Sequence, residues 1–156
     1  MAYELTFIYS PSDDENDPNR HIEFRDVEVA GESYNLDAFP KILGKLGKGE
    51  TKTLKGVAAV LIREPNNLQD RNAVGVHVMS TDGAARQVGH LSRDDAEEYL
   101  ATIKKLEERT KKNVGCNATI YGKGKEGLFG KPVYRVTLSL PKDADEWAKW
   151  EVEKTD

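Results

Sequence analysis

Cysteine is nearly absent from this sequence of 156 residues, in which Cys116 is the single thiol. One thiol excludes an intrachain disulfide, so we expect a reducing, cytoplasmic compartment. Long apolar runs are also missing, and no stretch approaches the roughly 18 residues that a membrane-spanning helix needs. The first ten residues lack the basic start and apolar centre of a signal peptide. We therefore expect no leader and no membrane partner.

Patterns that carry catalysis or bind metal are scarce as well. The histidines are widely separated, without the spacing of a zinc site. A Gly-x-Ser-x-Gly elbow is absent, and the glycines and lysines from Gly122 to Lys125 do not have the spacing of a phosphate-binding loop. We therefore expect no cofactor, no metal and no catalytic residue. The three histidines are His21, His77 and His90.

Charge is unevenly distributed along the chain, although the net charge is only −4. Residues 1–30 carry two basic and eight acidic side chains, and residues 142–156 carry three basic and six acidic ones. The middle, residues 31–141, carries 18 basic and 13 acidic side chains. The whole chain is thus unsuited to nonspecific binding of polyanions, whereas its middle is basic.

Short strands interrupted by two helices are the pattern that is present. Alternating or β-branched segments predict the strands, and apolar residues at helical spacing predict the helices. The order β-β-α-β-β-β-α-β-β indicates a mostly β, α+β fold with a small, curved sheet or barrel of about six strands. The predicted strands are Tyr3–Tyr9, His21–Ala30, Val57–Ile62, Ala73–Met79, Gln87–Leu91, Val114–Gly122 and Val133–Leu140, and the helices are Ala38–Leu46, Arg93–Lys112 and a tail helix, Asp145–Glu153.

Local signals refine this assignment. We expect the first two strands to pair with each other, with a β-bulge at Arg25-Asp26 where the alternation slips. Asp37 is expected to cap the first helix, which Gly47 and Gly49 would end. Ser92 is a natural N-cap for the second helix.

Eight polar residues crowd the segment between two buried strands, from Arg63 to Asn72. We expect the flanking Ile62 and Val74 to be buried. The segment REPNNLQDRNAVGV, the following VGHLSRDDA and the upstream VAGESY together resemble the HIRAN domain family. The resemblance is to its stand-alone bacterial or phage type, and it implies a modified OB-like barrel. It divides the chain into residues 1–26, an edge strand with an acidic loop; 27–141, the HIRAN-like domain; and 142–156, an acidic tail.

The resemblance also implies a function, the binding of single-stranded DNA at its 3′-hydroxyl end without catalysis. Tyr34 and Tyr121 match positions of base-stacking aromatic residues, although each also suits simple core packing. Two departures weaken the match, since Ser33 replaces a basic residue and Gln69 an aromatic one. The remaining implied contacts are Asn67 and Asp70 to the terminal nucleotide, His90 and Arg93 to terminal phosphates, and Lys123 and Lys125 to the DNA backbone.

Two other functions remain open. The first is a protein-interaction module on the same barrel with a degenerate DNA pocket, where the acidic termini or Trp147 and Trp150 would bind a partner. The second is a metal-dependent nuclease that uses acidic side chains in turns and at a helix start. Such carboxylates more often cap backbone N–H groups. The four carboxylates in question are Glu64, Asp70, Asp82 and Asp94.

Overall fold

The computed structural model describes residues 5–8, 22–32, 35–80, 82–126 and 130–144. The order of its elements agrees with the predicted order. None of the described helices is both long enough and apolar enough to cross a membrane. The strands are β1 (Leu5–Ile8), β2 (Phe24–Ala30), β3 (Thr51–Arg63), β4 (Val74–Met79), β5 (Ala85–Leu91), β6 (Asn113–Lys123) and β7 (Val133–Pro141); a 3₁₀ turn (Leu36–Ala38) leads into α1 (Phe39–Leu43), and α2 is Arg93–Thr110.

Six strands close into an antiparallel barrel in the order β6-β3-β4-β5-β2-β7, and β7 pairs back with β6. The predicted α+β, OB-like barrel is therefore confirmed. β1 lies outside the ring and pairs in parallel with Asn113–Cys116 of β6. The expected pairing of β1 with β2 is wrong, because β2 lies between β5 and β7 instead. β6 pairs with β1 through its first residues and with β7 through its later ones.

The barrel interior is filled mainly by aliphatic side chains of the strands, and α1 adds Phe39, Ile42 and Leu43 to the same buried core. Phe39 of α1 stacks on Tyr134 of β7 with ring centroids 4.2 Å apart. A Cβ on Gly122 would lie 2.5 Å from a methyl group of Leu43, so a larger residue there would displace that side chain of the helix. Cys116 is fully buried, and burial raises the pKa of its thiol to about 12, which makes it a poor nucleophile at neutral pH.

α1 is shorter than predicted. It ends at Leu43 because Gly44 adopts a positive φ of 81°, well before the expected stops at Gly47 and Gly49. The predicted cap by Asp37 is also wrong, since Ala38 occupies the N-cap position and no side chain caps the helix. The ammonium of Lys52 donates to the last helical carbonyl, that of Leu43, at 2.9 Å.

The predicted second helix, Arg93–Lys112, is confirmed, since α2 spans Arg93–Thr110. The Ser92 hydroxyl accepts a hydrogen bond from the backbone N–H of Asp95, which is the expected N-cap. Ala96, Tyr99 and Ile103 lie on the buried face of the helix. The helix ends with Lys111 in the left-handed region, where its N–H still donates to the carbonyl of Glu107.

The apparent slip of alternation in β2 is not a bulge. The ladder between β2 and β7 is continuous from Phe24 to Glu28. Arg25 therefore lies on the same face of β2 as the buried Val27. Its guanidinium lies 5.5 Å from the ring centroid of Tyr99 and donates to Asp95 at 2.8 Å, which links β2 to α2. Arg25 thus occupies an apolar position by covering an aromatic ring.

Ile62 is half-buried rather than part of the core, whereas Val74 is fully buried as predicted. The strand register explains the difference. Ile62 lies opposite Gly75, Gly75 lies opposite His90, and His90 lies opposite Ala30. Because Ala30 is exposed, this row of residues lies on the outer face of the barrel. Ile62 therefore points outward.

Candidate nucleic-acid interface

The segment between β3 and β4, residues 64–72, is a loop ordered by its own polar groups. Its ends are joined by the N–H of Glu64, which donates to the carbonyl of Ala73 at 2.9 Å. The Asn67 side-chain oxygen accepts from the backbone N–H groups of Gln69, at 2.9 Å, and Asp70, at 3.2 Å. The Asn67 amide donates to Glu64 at 3.0 Å. Asn67 therefore shapes the loop, and its side chain is occupied in doing so.

Asp70 presents its two carboxylate oxygens to different surroundings. Its Oδ1 accepts from the backbone N–H of Asn72 at 2.9 Å, which is ordinary turn chemistry. Its Oδ2 lies 4.0 Å from Nε of Arg93, the first residue of α2. The Arg93 side chain is 75% exposed and that of Asp70 is 27% exposed. A carboxylate oxygen and a solvated guanidinium therefore lie side by side at the surface.

His90 is oriented by Glu64. Its Nε2 lies 3.0 Å and 3.1 Å from the two carboxylate oxygens. A carboxylate only accepts hydrogen bonds, so Nε2 must carry the proton. Burial acts to raise the pKa of Glu64, but hydrogen bonds from Asn67 and His90 outweigh it and hold that pKa below its ordinary value. Within the described part of the chain, all the side-chain hydrogen bonds of His90 involve Nε2, and its side chain is 37% exposed.

Two further side chains, His77 and Gln87, complete this cluster. A Cβ on Gly75 would lie 2.5 Å from Oε2 of Glu64, so the carboxylate lies directly on the glycine. The same Cβ would lie 3.4 Å from Nε2 of Gln87 and 3.5 Å from Nε2 of His77. Burial lowers the pKa of His77, although the Glu64 carboxylate opposes this shift. His77 is thus neutral at pH 7.

Three other residues of the predicted site lie on or after β6, away from the polar loop. Tyr121 is half-exposed on the outer face, where it pairs with Thr53 and Arg135, so it is not a core residue. Lys123 donates to Glu126 at 2.8 Å, and this bond raises the pKa of its ammonium. Lys125 is exposed.

The structure therefore divides the predicted site into two groups. Asn67, Asp70, His90 and Arg93 meet at the ends of β3, β4, β5 and the start of α2. The second group follows around the barrel, since β5 neighbours β2, β2 neighbours β7 and β7 neighbours β6. Three strand spacings of ~4.8 Å separate β5 from β6, about 15 Å around the surface.

Several predicted features lie outside the described residues: Ser33 and Tyr34, Leu128 and Phe129 of the β6–β7 loop, and the tail helix with Trp147 and Trp150.

A cavity of about 310 Å³ lies between the two groups, where β2 ends and β7 begins. Ala30, which pairs with His90, lines its one side, and Val133, which pairs with Lys123, lines the other. Glu32 also lines it. The cavity thus connects the two groups of predicted contacts.

Sequence reasoning missed several of these residues. Glu64 was considered only as a metal ligand, yet it is the partner of His90. A glycine at position 75, within a strand of valines, was the available signal of a close approach. Glu32 and Gln87 gave no signal, because only the register of distant strands places them here. Leu68, at the tip of the loop, is fully exposed.

The nuclease hypothesis requires several carboxylates at one point. Among the described ranges, no three His, Cys, Asp or Glu side chains are grouped so as to hold a metal ion. Asp82 instead binds Arg86 at 2.7 Å and the backbone N–H of Ala84 at 3.1 Å. Asp94 lies in the first turn of α2. Each of these carboxylates therefore has a local structural role.

Comparison with known proteins adds little beyond the motifs. No family model matches the sequence, and no curated protein matches it. A solved structure, the crystal structure of the HIRAN domain of human HLTF, shares 23% identity with this chain. The match covers 84% of this chain and 87% of the other, with a TM-score of 0.31. A likeness at that level supports no functional argument, so function must be argued from the site itself.

Proposed function

We propose that this protein binds the 3′-hydroxyl end of single-stranded DNA, without catalysis, at the surface formed by the polar loop, His90 and Arg93. The observation that carries the proposal is the contact between Asp70 and Arg93. The two side chains offer an acceptor and a cation next to each other, at 4.0 Å. The end of a strand presents the complementary pair, a hydroxyl donor and the adjacent phosphodiester.

Asp70 is the residue that selects the end. A carboxylate repels phosphate, so it suits a position that meets an uncharged donor. Its Oδ1 is already bound to the Asn72 N–H, and Oδ2 is the atom directed to Arg93. A 3′-hydroxyl that donates to Oδ2 forms a charge-assisted hydrogen bond. Such a bond contributes about 1.5–3 kcal/mol, or roughly ten- to a hundredfold in affinity.

Arg93 supplies the charge for the phosphate next to that hydroxyl. It stands at the first position of α2, where free backbone N–H groups also favour an anion. The same turn carries Asp94 and Asp95, which oppose a phosphate. Asp95 is compensated by Arg25 at 2.8 Å, so Asp94 is the main opposing charge. This balance favours one or a few phosphates rather than a long strand, as end recognition requires.

The competing function is a protein-interaction module on the same barrel. The fully exposed Leu68 offers a protein partner one apolar contact at the tip of the polar loop. The departures at Ser33 and Gln69 favour this function too. Leu68 belongs to the same loop as Asp70, however, and in a DNA complex its exposed side chain is available to contact the face of a base.

Fluorescence anisotropy with matched oligonucleotides tests the proposal. A strand with a free 3′-hydroxyl should bind at least about tenfold more tightly than its 3′-phosphorylated twin. A phosphate on the 5′ end should have little effect. Equal binding of both 3′ ends would contradict end recognition, and the absence of any binding at low salt would favour the protein-interaction module.

A further inference from the structure

Half of the 18 basic residues in the middle of the chain lie in two short segments. Residues 41–55 carry five lysines and one glutamate, and residues 121–135 carry three lysines, one arginine and one glutamate. The two segments together have a net charge of +7. Residues 31–40 carry two acidic side chains and no basic ones, and residues 56–120 carry nine of each. The positive charge of the middle therefore comes from these two segments and not from the polar loop or α2.

The fold joins the two segments at one end of the barrel. The first residues of β3 pair with the last residues of β6. Beyond the strands, the N–H of Gly49 donates to the carbonyl of Lys125 at 3.2 Å, and the N–H of Gly124 donates to the carbonyl of Glu50 at 2.8 Å. A Cβ on Gly124 would overlap the carbonyl oxygen of Gly47, so glycine is required for this close approach. The lysines of both segments thus belong to one surface.

Five cations of this surface are exposed and form no ion pair with an acidic side chain among the described residues. The acidic residues between them are already bound, since Glu126 pairs with Lys123 at 2.8 Å and Glu50 accepts from a backbone N–H of its own turn at 3.2 Å. Like charges that are held together repel each other, and a polyanion relieves that repulsion. We call these five residues the lysine surface: Lys45, Lys48, Lys55, Lys125 and Arg135.

We propose, on the basis of the end-binding function above, that the lysine surface binds the phosphate backbone of duplex DNA that adjoins the single-stranded 3′ end. Lysine ammonium groups bind phosphates as point charges and do not read bases. A duplex carries a phosphate about every 1.7 Å along its axis, twice the density of either strand, which suits a group of unpaired cations. A single strand is held largely by stacking on aromatic rings. Of the two tyrosines in these segments, Tyr134 stacks on Phe39, which leaves only Tyr121 for that role in the described part of the surface.

The lysine surface is close enough to Asp70 and Arg93 for one ligand to reach both. Arg135 pairs with Tyr121 of β6, and β6 lies three strand spacings of ~4.8 Å, about 15 Å, from β5 around the barrel. Successive phosphates of one strand are ~3.4 Å apart, so about five nucleotides span that distance. The exposed acidic residues of β2, which lies in between, disfavour a duplex there. The ligand that fits is therefore a duplex with a 3′ overhang of about five nucleotides.

Anisotropy with a hairpin duplex that carries such an overhang of thymines, ending in a free 3′-hydroxyl, tests this inference. The reference is an oligo(dT) strand with the same number of nucleotides and the same 3′ end. We expect the hairpin to bind about tenfold more tightly than the reference, the combined effect of a few exposed ion pairs. Lys45→Gln, Lys48→Gln and Lys125→Gln combined should remove most of this gain. The preference for a 3′-hydroxyl over a 3′-phosphate should be unchanged.

Lys104→Gln, Lys105→Gln and Lys112→Gln combined are the matched control, because these exposed lysines lie on or next to α2 and change the net charge equally. The control variant should keep the gain, and an equal loss in both variants would overturn the lysine surface in favour of an effect of net charge. Equal weakening of hairpin and reference by the first variant would overturn the duplex and assign the surface to a single strand.

Affinity for the hairpin no higher than for the reference, with the 3′-hydroxyl still preferred, would overturn the lysine surface and leave the proposed function intact. No binding of any DNA would overturn both proposals.

Discussion

Gly75 and Glu64 are in such close contact that no side chain fits between them, since a Cβ on Gly75 would lie 2.5 Å from Oε2 of Glu64. Oε1 of Glu64 in turn accepts a hydrogen bond from Nε2 of His90, with 3.0 Å between the two atoms. A glycine in β4 therefore fixes the orientation of a histidine in β5. This contact explains why a strand of valines contains a glycine at that position.

Gly75→Ala should release His90 without unfolding the barrel. The clash is with the end of a flexible side chain, so we expect a loss of stability of about 1 kcal/mol or less. Neutral His90 should change from one tautomer, with the proton on Nε2, to a mixture, as measured by ¹⁵N NMR of the ring nitrogens. Gly47→Ala is the control, because a Cβ there meets nothing within 4 Å. An unchanged tautomer in Gly75→Ala would contradict the proposed contact.

Asp70→Asn separates the two roles of Asp70. Asparagine keeps an oxygen that accepts from the Asn72 N–H, so the loop should retain its structure and melting temperature. The loss of charge should lower affinity for the 3′-hydroxyl end about tenfold and narrow the difference from the 3′-phosphate end. If only Asp70→Ala weakens binding, and does so equally for both ends while lowering the melting temperature, Asp70 serves the loop alone.

Arg93→Ala should alter the salt dependence of binding. Each phosphate contact to a single strand contributes about −0.7 to the slope of log affinity against log salt concentration. We expect a total slope that corresponds to about two to four contacts, reduced by about one contact in the variant. Lys112→Ala, an exposed change just beyond the far end of α2, should leave the slope unchanged. An unaltered slope in Arg93→Ala would place the phosphate elsewhere.

Local sequence signals predicted the features that depend on local interactions. The α2 helix followed from Ser92, the acidic first turn and an apolar stripe, all within one segment. α1 was predicted too long because Gly44, rather than the later glycines, adopts the positive φ that ends it. That choice depends on how the helix packs against the core and Gly122, which the sequence does not encode locally.

Strand partners and register were the features that the sequence left undetermined. The alternation within one strand separates an apolar from a polar face but does not specify the neighbouring strands, and β1 gave no sign that it would pair with β6. The same limit applies to the site. Asp70 and His90 were predicted by resemblance, whereas the role of Glu64 depends on its contact with His90 on a distant strand.

Stability should depend on pH through His77. Its pKa in the folded protein lies below the ordinary value of 6.5, because burial disfavours the imidazolium. The unfolded chain therefore takes up a proton first, and stability should fall as pH drops below about 6.5. His77→Gln should flatten the melting temperature between pH 7 and 5. Glu64→Gln should act in a lower window, near and below the ordinary pKa of 4.5, because the pKa of Glu64 is also lowered. A profile unaffected by His77→Gln would contradict this assignment.

Val74, which pairs with Arg63, and Ile62, which pairs with Gly75, occupy successive positions of the β3–β4 ladder but should differ in their contribution to stability. Val74 is fully buried, so Val74→Ala should cost about 2 kcal/mol through lost burial and a residual cavity. Ile62 is larger, but it lies half-buried on the outer face, and Ile62→Ala should cost about 1 kcal/mol. Urea denaturation measures both values, and an unchanged slope of unfolding free energy against urea would show that the unfolded states are comparable. A larger loss for Ile62 than for Val74 would mean that Ile62 faces the core and that the register of β3 against β4 is shifted by one residue.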